Sequence, residues 1–118
     1  MATGAIITTL VENTVNIQGL RAEHGLSFLI RIGGNKVVFD TGASDLVLEN
    51  ARRMGLELAD VDAVVLSHGH YDHTGGGEAV LGIAPQAEIH VHPDALAPKY
   101  TRQADGTSRY IGMPPAVL

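Results

Sequence analysis

The chain opens with AIITTLV at 5–11, a run of aliphatic and β-branched residues that predicts a strand. ENTVNIQGLRAEHG follows, polar and punctuated by glycine, and reads as a loop. Two further apolar runs, LSFLIRIGG and KVVFD, are separated by Gly33, Gly34 and Asn35, which predicts a hairpin with a tight turn. After TGASD, apolar Leu46, Val47, Ala51 and Met54 recur at helical spacing, with Glu49, Arg52 and Arg53 on the opposite side. Ser44 suits the N-cap of that helix and Gly55 its end. DAVVLS is a short run, apolar from Ala63 to Leu66, and reads as a strand buried on both faces. GGEAVLGIA predicts a short helix and AEIHVH the next strand. PDALAPKY predicts one or two helical turns starting at Pro93. The tail TRQADGTSRYIGMPPAVL shows no period. Strands alternating with helices after an opening hairpin define an α/β layer arrangement, with no internal repeat or linker to divide it.

Composition narrows the function. Of 118 residues, 45% are hydrophobic and 18% charged, which fits a buried core and excludes a disordered chain. The net charge is -5, and the eight Lys and Arg are scattered, with Arg52 and Arg53 the only adjacent pair, so no basic surface for nucleic acid is expected. There is no cysteine, so any metal must be held by nitrogen and oxygen. No apolar run is long enough to span a bilayer and the N-terminus has no signal-peptide pattern, so a cytoplasmic protein without a membrane partner is expected.

The chemistry concentrates in SHGHYDHTGGG at 67–77. His68, His70, Asp72 and His73 place four ligand-type residues within six positions, at the end of a predicted strand. In an extended segment His68 and His70 point the same way. Asp72 and His73 can meet at a second point only if the chain turns, which Gly69 and the run Gly75, Gly76, Gly77 permit. Two metal centres about 3.5–4 Å apart would form a binuclear site able to activate water. A solvated polar loop is the plain alternative, and the density of ligand types weighs against it. Zinc is the first expectation for the metal, with iron and manganese as alternatives. His90 and His92 would share one strand face and are assigned a supporting role instead of ligation.

LSHGHYDHTGG after an apolar strand resembles the His-x-His-x-Asp-His signature of the metallo-β-lactamase superfamily, and VVFDTG upstream resembles a second motif of that family. TTLVENTV, AEHGLSFLI and SRYIGMP are similar to a subgroup of dihydropterin ribofuranosylaminobenzene phosphate synthases. The resemblance implies half of an αβ/βα sandwich, a mixed sheet with helices on one face. It implies that His68 and His70 bind one metal and that Asp72 and His73 bind the second, with Asp72 also handling a proton. Asp40 would stand behind the ligands and fix the loop; on its own it reads equally as a turn or N-cap carboxylate. Glu12, Asn13 and His24 would approach the site from the substrate side.

The family's second half contributes three further ligands, and no histidine follows His92 here. Residues 1–118 are therefore expected to form a single, incomplete domain, the N-terminal half. A missing C-terminal half or a second copy would complete it around a small-molecule substrate. The expected activity is metal-dependent hydrolysis of an ester, lactone or phosphoester. The alternatives are a non-catalytic metal-binding or dimerising half-domain and a pterin-pathway synthase.

Overall fold

The computed structural model describes residues 4–118. Its main sheet has five strands in the order of the chain: β1 (Ala5–Val11), β2 (Ser27–Ile32), β3 (Asn35–Phe39), β4 (Ala63–Val65) and β5 (Glu88–His90). The first three are antiparallel; β4 and β5 join β3 in parallel. Two helices make the crossovers, α1 (Leu46–Arg53) between β3 and β4, and α3 (Gly77–Ile83) between β4 and β5. A single turn, α2 (Tyr71–Thr74), sits between β4 and α3. The tight turn predicted at Gly33 and Gly34 joins β2 to β3, with Phe28 opposite Phe39 and Leu29 opposite Val38.

One rung of the sheet, Leu29–Val38–Val64, is fully buried under the helices, packed in a core with Val47, Ala51 and Val80. Burial of each such side chain stabilises the fold by roughly 1.5–3 kcal/mol. The opposite face carries Ile7, Ile30 and Val37 on one rung and Phe28, Phe39 and Val65 on the next. Ile7 is 63% exposed there, and the Phe28 and Phe39 rings stack at 6.5 Å. This corrects the expectation that DAVVLS is buried on both faces. Val64 is buried, but Ala63 and Val65 are only half-buried, because the helices cover one side.

The α1 boundaries follow the pattern with one change. Asp45 occupies the N-cap position without a side-chain bond, while the Oγ of Ser44 accepts from Leu46 N at 3.2 Å. At the other end Gly55 N–H returns to the Arg52 carbonyl at 3.0 Å and Leu56 N–H to Ala51 at 2.8 Å, closing the helix. Beyond β5 the segment at Pro93 forms one 3-10 turn, Pro93–Leu96. The tail that showed no period contains a second sheet, β6 (Tyr100–Arg102) paired with β7 (Ser108–Tyr110). All six of its strand residues are exposed, so no apolar alternation marked it. Among the described residues no helix is long and apolar enough to cross a membrane.

Candidate metal centre

Parallel pairing sets Phe39 opposite Val65, so the chain leaves β3 and β4 side by side. Asp40 follows the first strand, and Ser67 and His68 follow the second. Asp40 is fully buried and adopts a positive φ of 55°, a strained choice for a non-glycine residue. Its backbone N–H donates to the Val65 carbonyl at 2.8 Å and its carbonyl accepts from Ser27 Oγ at 2.7 Å. The kink turns its carboxylate toward the histidine loop. There Oδ1 accepts from Ser67 N at 2.7 Å, and Oδ2 accepts from Ser67 Oγ at 2.6 Å. The same Oδ2 stands 2.7 Å from His73 Nδ1. Asp40 caps no helix.

These bonds assign tautomers. Ser67 Oγ spends its proton on Asp40, so it accepts from His68 Nδ1 at 2.8 Å. His73 likewise donates Nδ1–H to Asp40. In the neutral ring this arrangement leaves Nε2 of both imidazoles unprotonated, the form a metal requires. Ser67 was not singled out in the sequence. Its only signal was its place directly before His68.

The histidine loop turns where the sequence required a turn. His70 is extended at φ -82°, ψ 150°, and α2 begins at the next residue. The His68 ring then lies 4.7 Å from that of His70 and 4.2 Å from that of His73. Two donor sets result, each with its ligand atoms within 4.8 Å of one another: Asp40, His68 and His73, and His68, His70 and Asp72. His68 belongs to both, so the two pairs expected from spacing are not spatially separate. Asp40 meets the distance condition, but its oxygens already accept three hydrogen bonds, which fits a supporting carboxylate better than a ligand.

Burial is the main cause that lowers the His68 pKa below 6.5, followed by repulsion from His73 and His70; Asp40 and Asp72 oppose it. The net effect favours the neutral imidazole that coordinates a metal.

Backbone contacts lock the loop. Thr41 N–H donates to the His73 carbonyl at 2.7 Å, and Tyr71 N–H donates to Ile111 at 3.0 Å. Gly69 is required by close approach: a side chain there would strike the backbone carbonyl of Ala95. From the other side comes the loop before β2. Gly25, at φ +150°, lies against the Asp72 carbonyl, where a Cβ would collide. Asn13 Oδ1 accepts from Gly25 N at 3.0 Å. His24 Nε2 reaches 3.0 Å from Asp72 Oδ2. Glu12, Asn13, His24, Leu26, Asp72 and His73 line a recess of about 290 Å3. A larger cavity, about 490 Å3, lies on the helix side around Leu48, Ala51, Leu56, Leu58 and Ile83. It holds no histidine and stands apart from this chemistry.

His90 and His92 do not share a strand face. The strand ends at His90, whose exposed ring lies 3.2 Å from Glu88. His92 instead caps the 3-10 turn, accepting from Asp94 N at 3.1 Å.

A mixed sheet with crossover helices on one side, and imidazole and carboxylate donors at the ends of its central strands, make this an α/β protein with a candidate metal centre. Residues 20–117 match the metallo-beta-lactamase superfamily, and the chain belongs to that family. The crystal structure of a metal-dependent hydrolase of the beta-lactamase superfamily superposes on 92% of the chain with a TM-score of 0.71 and 33% identity, using 36% of that protein. An uncharacterised protein of Methanocaldococcus jannaschii is 36% identical over 92% of this chain and 40% of its own. The 7,8-dihydropterin-6-methyl-4-(beta-D-ribofuranosyl)-aminobenzene-5'-phosphate synthase of the same organism is 30% identical over 71% of this chain and 31% of its own. The chain thus spans less than half the length of each of these relatives.

Proposed function

We propose that the chain carries the N-terminal share of a binuclear metal centre that hydrolyses an ester, lactone or phosphoester of a small molecule. The observation that carries this reading is the convergence of His68, His70, Asp72 and His73 at the end of β4, with two of the imidazoles already fixed in the coordinating tautomer. His68 and His70 would hold one ion, and Asp72 and His73 the other. The donor set is nitrogen and oxygen only, which suits zinc first, and iron or manganese otherwise. Divalent ions bound there supply Lewis acidity and an acidified water.

The chain's own residues then divide the work. Asp40 and Ser67 orient His68 and His73 and keep their Nε2 atoms unprotonated. Asp72, which opens on the recess, takes up or returns a proton during attack. Glu12 and Asn13 border the same recess and are assigned to the substrate side.

Each ion would have two ligands from the histidine loop, while a catalytic zinc takes three protein ligands and a water. We therefore assign the remaining ligands to further polypeptide. Either a C-terminal half of the same domain or a second copy would cover the face of Ile7, Ile30 and Phe28. A pterin-pathway synthase is the second reading, favoured by the relative of that name.

The test is elemental analysis of the gel-filtration peak with its mass measured in the same run. Metal bound in proportion to chain, and lost in His68→Ala, is the expected result. A metal-free peak would mean that this chain alone is an incomplete half, and metal content unchanged in His68→Ala would overturn the ligand assignment.

A further inference from the structure

We propose that the recess beside His68 receives an anionic end of the substrate, a carboxylate or a phosphate group, recognised by His92 and Lys99; the inference deepens the function proposed above and rests on it. The recess, about 250 Å3, is lined by His68, Gly69, His92, Ala95 and Lys99. The recess of Glu12, Asn13 and His24 is a different one: it opens on Asp72 and His73, whereas this one opens on His68. A substrate whose reacting group sits at the histidine loop therefore has a second place for its far end.

Hydrogen bonding fixes which edge of His92 is available. Nδ1 accepts from Asp94 N at 3.1 Å, so in the neutral ring the proton is on Nε2. This is the opposite tautomer to that of His68 and His73, where Nδ1 donates and Nε2 is left bare. His92 thus presents an N–H instead of a lone pair, on a side chain that is 75% exposed. It suits a carboxylate or phosphate oxygen, which only accepts, and not a metal ion. Lys99 supplies the charge. Its Nζ donates to the carbonyls of Asp94 at 2.9 Å, Ala97 at 3.1 Å and Ala95 at 3.3 Å. Those bonds use its three protons and hold the ammonium in the wall, but all three acceptors are neutral, so its charge is left for a ligand to meet. Gly69 packs against the same Ala95 carbonyl without room for a side chain, which sets the ammonium one carbonyl away from the histidine loop. Asp94 is the acid on the rim. Its carboxylate is 94% exposed and lies 3.8 Å from Nδ1, on the capped edge of the ring. Residues 89–118 hold three of the chain's eight Lys and Arg but two of its thirteen Asp and Glu. In a chain of net charge -5, an anion is drawn to this side of the centre.

The experiment is an NMR titration of the metal-free chain with phenyl phosphate, with benzoate and, as a neutral control, with benzyl alcohol. The His92 ring and the Lys99 side chain are followed. Saturable shifts of both with phenyl phosphate or benzoate, and none with benzyl alcohol, are expected; the anion that acts tells phosphate from carboxylate. His92→Asn is the deciding variant, because its Oδ1 can still accept from Asp94 N and cap the turn while the Nε2–H is gone. Its dissociation constant for the anion should rise by about tenfold or more, the scale of one hydrogen bond to a charged group, with thermal unfolding unchanged. Lys99→Met should weaken binding as well. Wild-type affinity in His92→Asn would make the ring a cap and nothing more, and would overturn the proposal. Equal shifts with benzyl alcohol, or none with either anion, would overturn it too. The titration contains no metal, so this subsite and the ligand assignment of His68 fail separately.

Discussion

His73 Nδ1 and Asp40 Oδ2 lie 2.7 Å apart, joining the helical turn after β4 to the end of β3. The carboxylate is fully buried and accepts from Ser67 twice as well. In Asp40→Ala three donors lose their acceptor. Ser67 is exposed and His73 half-buried, so water replaces part of what is lost, and a destabilisation of about 1–3 kcal/mol is expected. Chemical denaturation of the metal-free protein measures it.

Ser67→Ala removes the acceptor for His68 Nδ1 and one bond to Asp40, but no ligand. Metal affinity should fall by about 10–100-fold while stoichiometry at saturation is kept. Chelator competition reads both. Loss of an entire equivalent would mean that Ser67 does more than orient.

His68 belongs to both donor sets, whereas His90 and His92 belong to neither. His68→Ala should therefore strip metal most completely, and His90→Ala and His92→Ala should retain it. Elemental analysis of the three variants checks the order.

His68 has its pKa lowered, chiefly by burial and then by His73 and His70. A group whose folded pKa lies below its unfolded value contributes stability that is present above the unfolded value of 6.5 and lost as pH falls through the folded value. The metal-free chain should thus weaken in mild acid. In a proton NMR titration, His68 should have its midpoint below 6.5. A midpoint above it would contradict the burial of the ring.

Gly69→Ala drives a methyl group into the Ala95 carbonyl. A destabilisation of more than about 2 kcal/mol is expected, since backbone cannot yield as a flexible side chain can. Thermal unfolding of the metal-free variant separates this from any effect on metal.

What the sequence made readable was what depends on local periodicity. AIITTLV and VVFD declare strands by their aliphatic and β-branched runs, and the Leu46, Val47, Ala51 series declares a helix face by its spacing; each forms the expected element. The β6–β7 hairpin was hidden because both strands are solvent-facing, so nothing in Tyr100–Arg102 or Ser108–Tyr110 alternates between core and water. The histidine loop announced itself by density of ligand types. Its supports did not: Ser67 is an ordinary residue until Asp40, 27 positions away, is brought beside it. The placement of His92 was misread because Pro93 starts a turn that takes its ring as a cap.

Asp40 closes β3, Ser67 follows β4, and the two strands lie in parallel with Phe39 beside Val65. The carboxylate–serine–imidazole chain can form only in that registration, since slipping either strand by one residue would send Asp40 or Ser67 to the other face. The donor cluster is therefore a gauge of correct strand alignment. An ion captured there would act as a rivet between neighbouring strands, and the Asp40 and Leu66 amides, which donate to Val65 and His90, should be the ones whose hydrogen exchange slows most when metal is added.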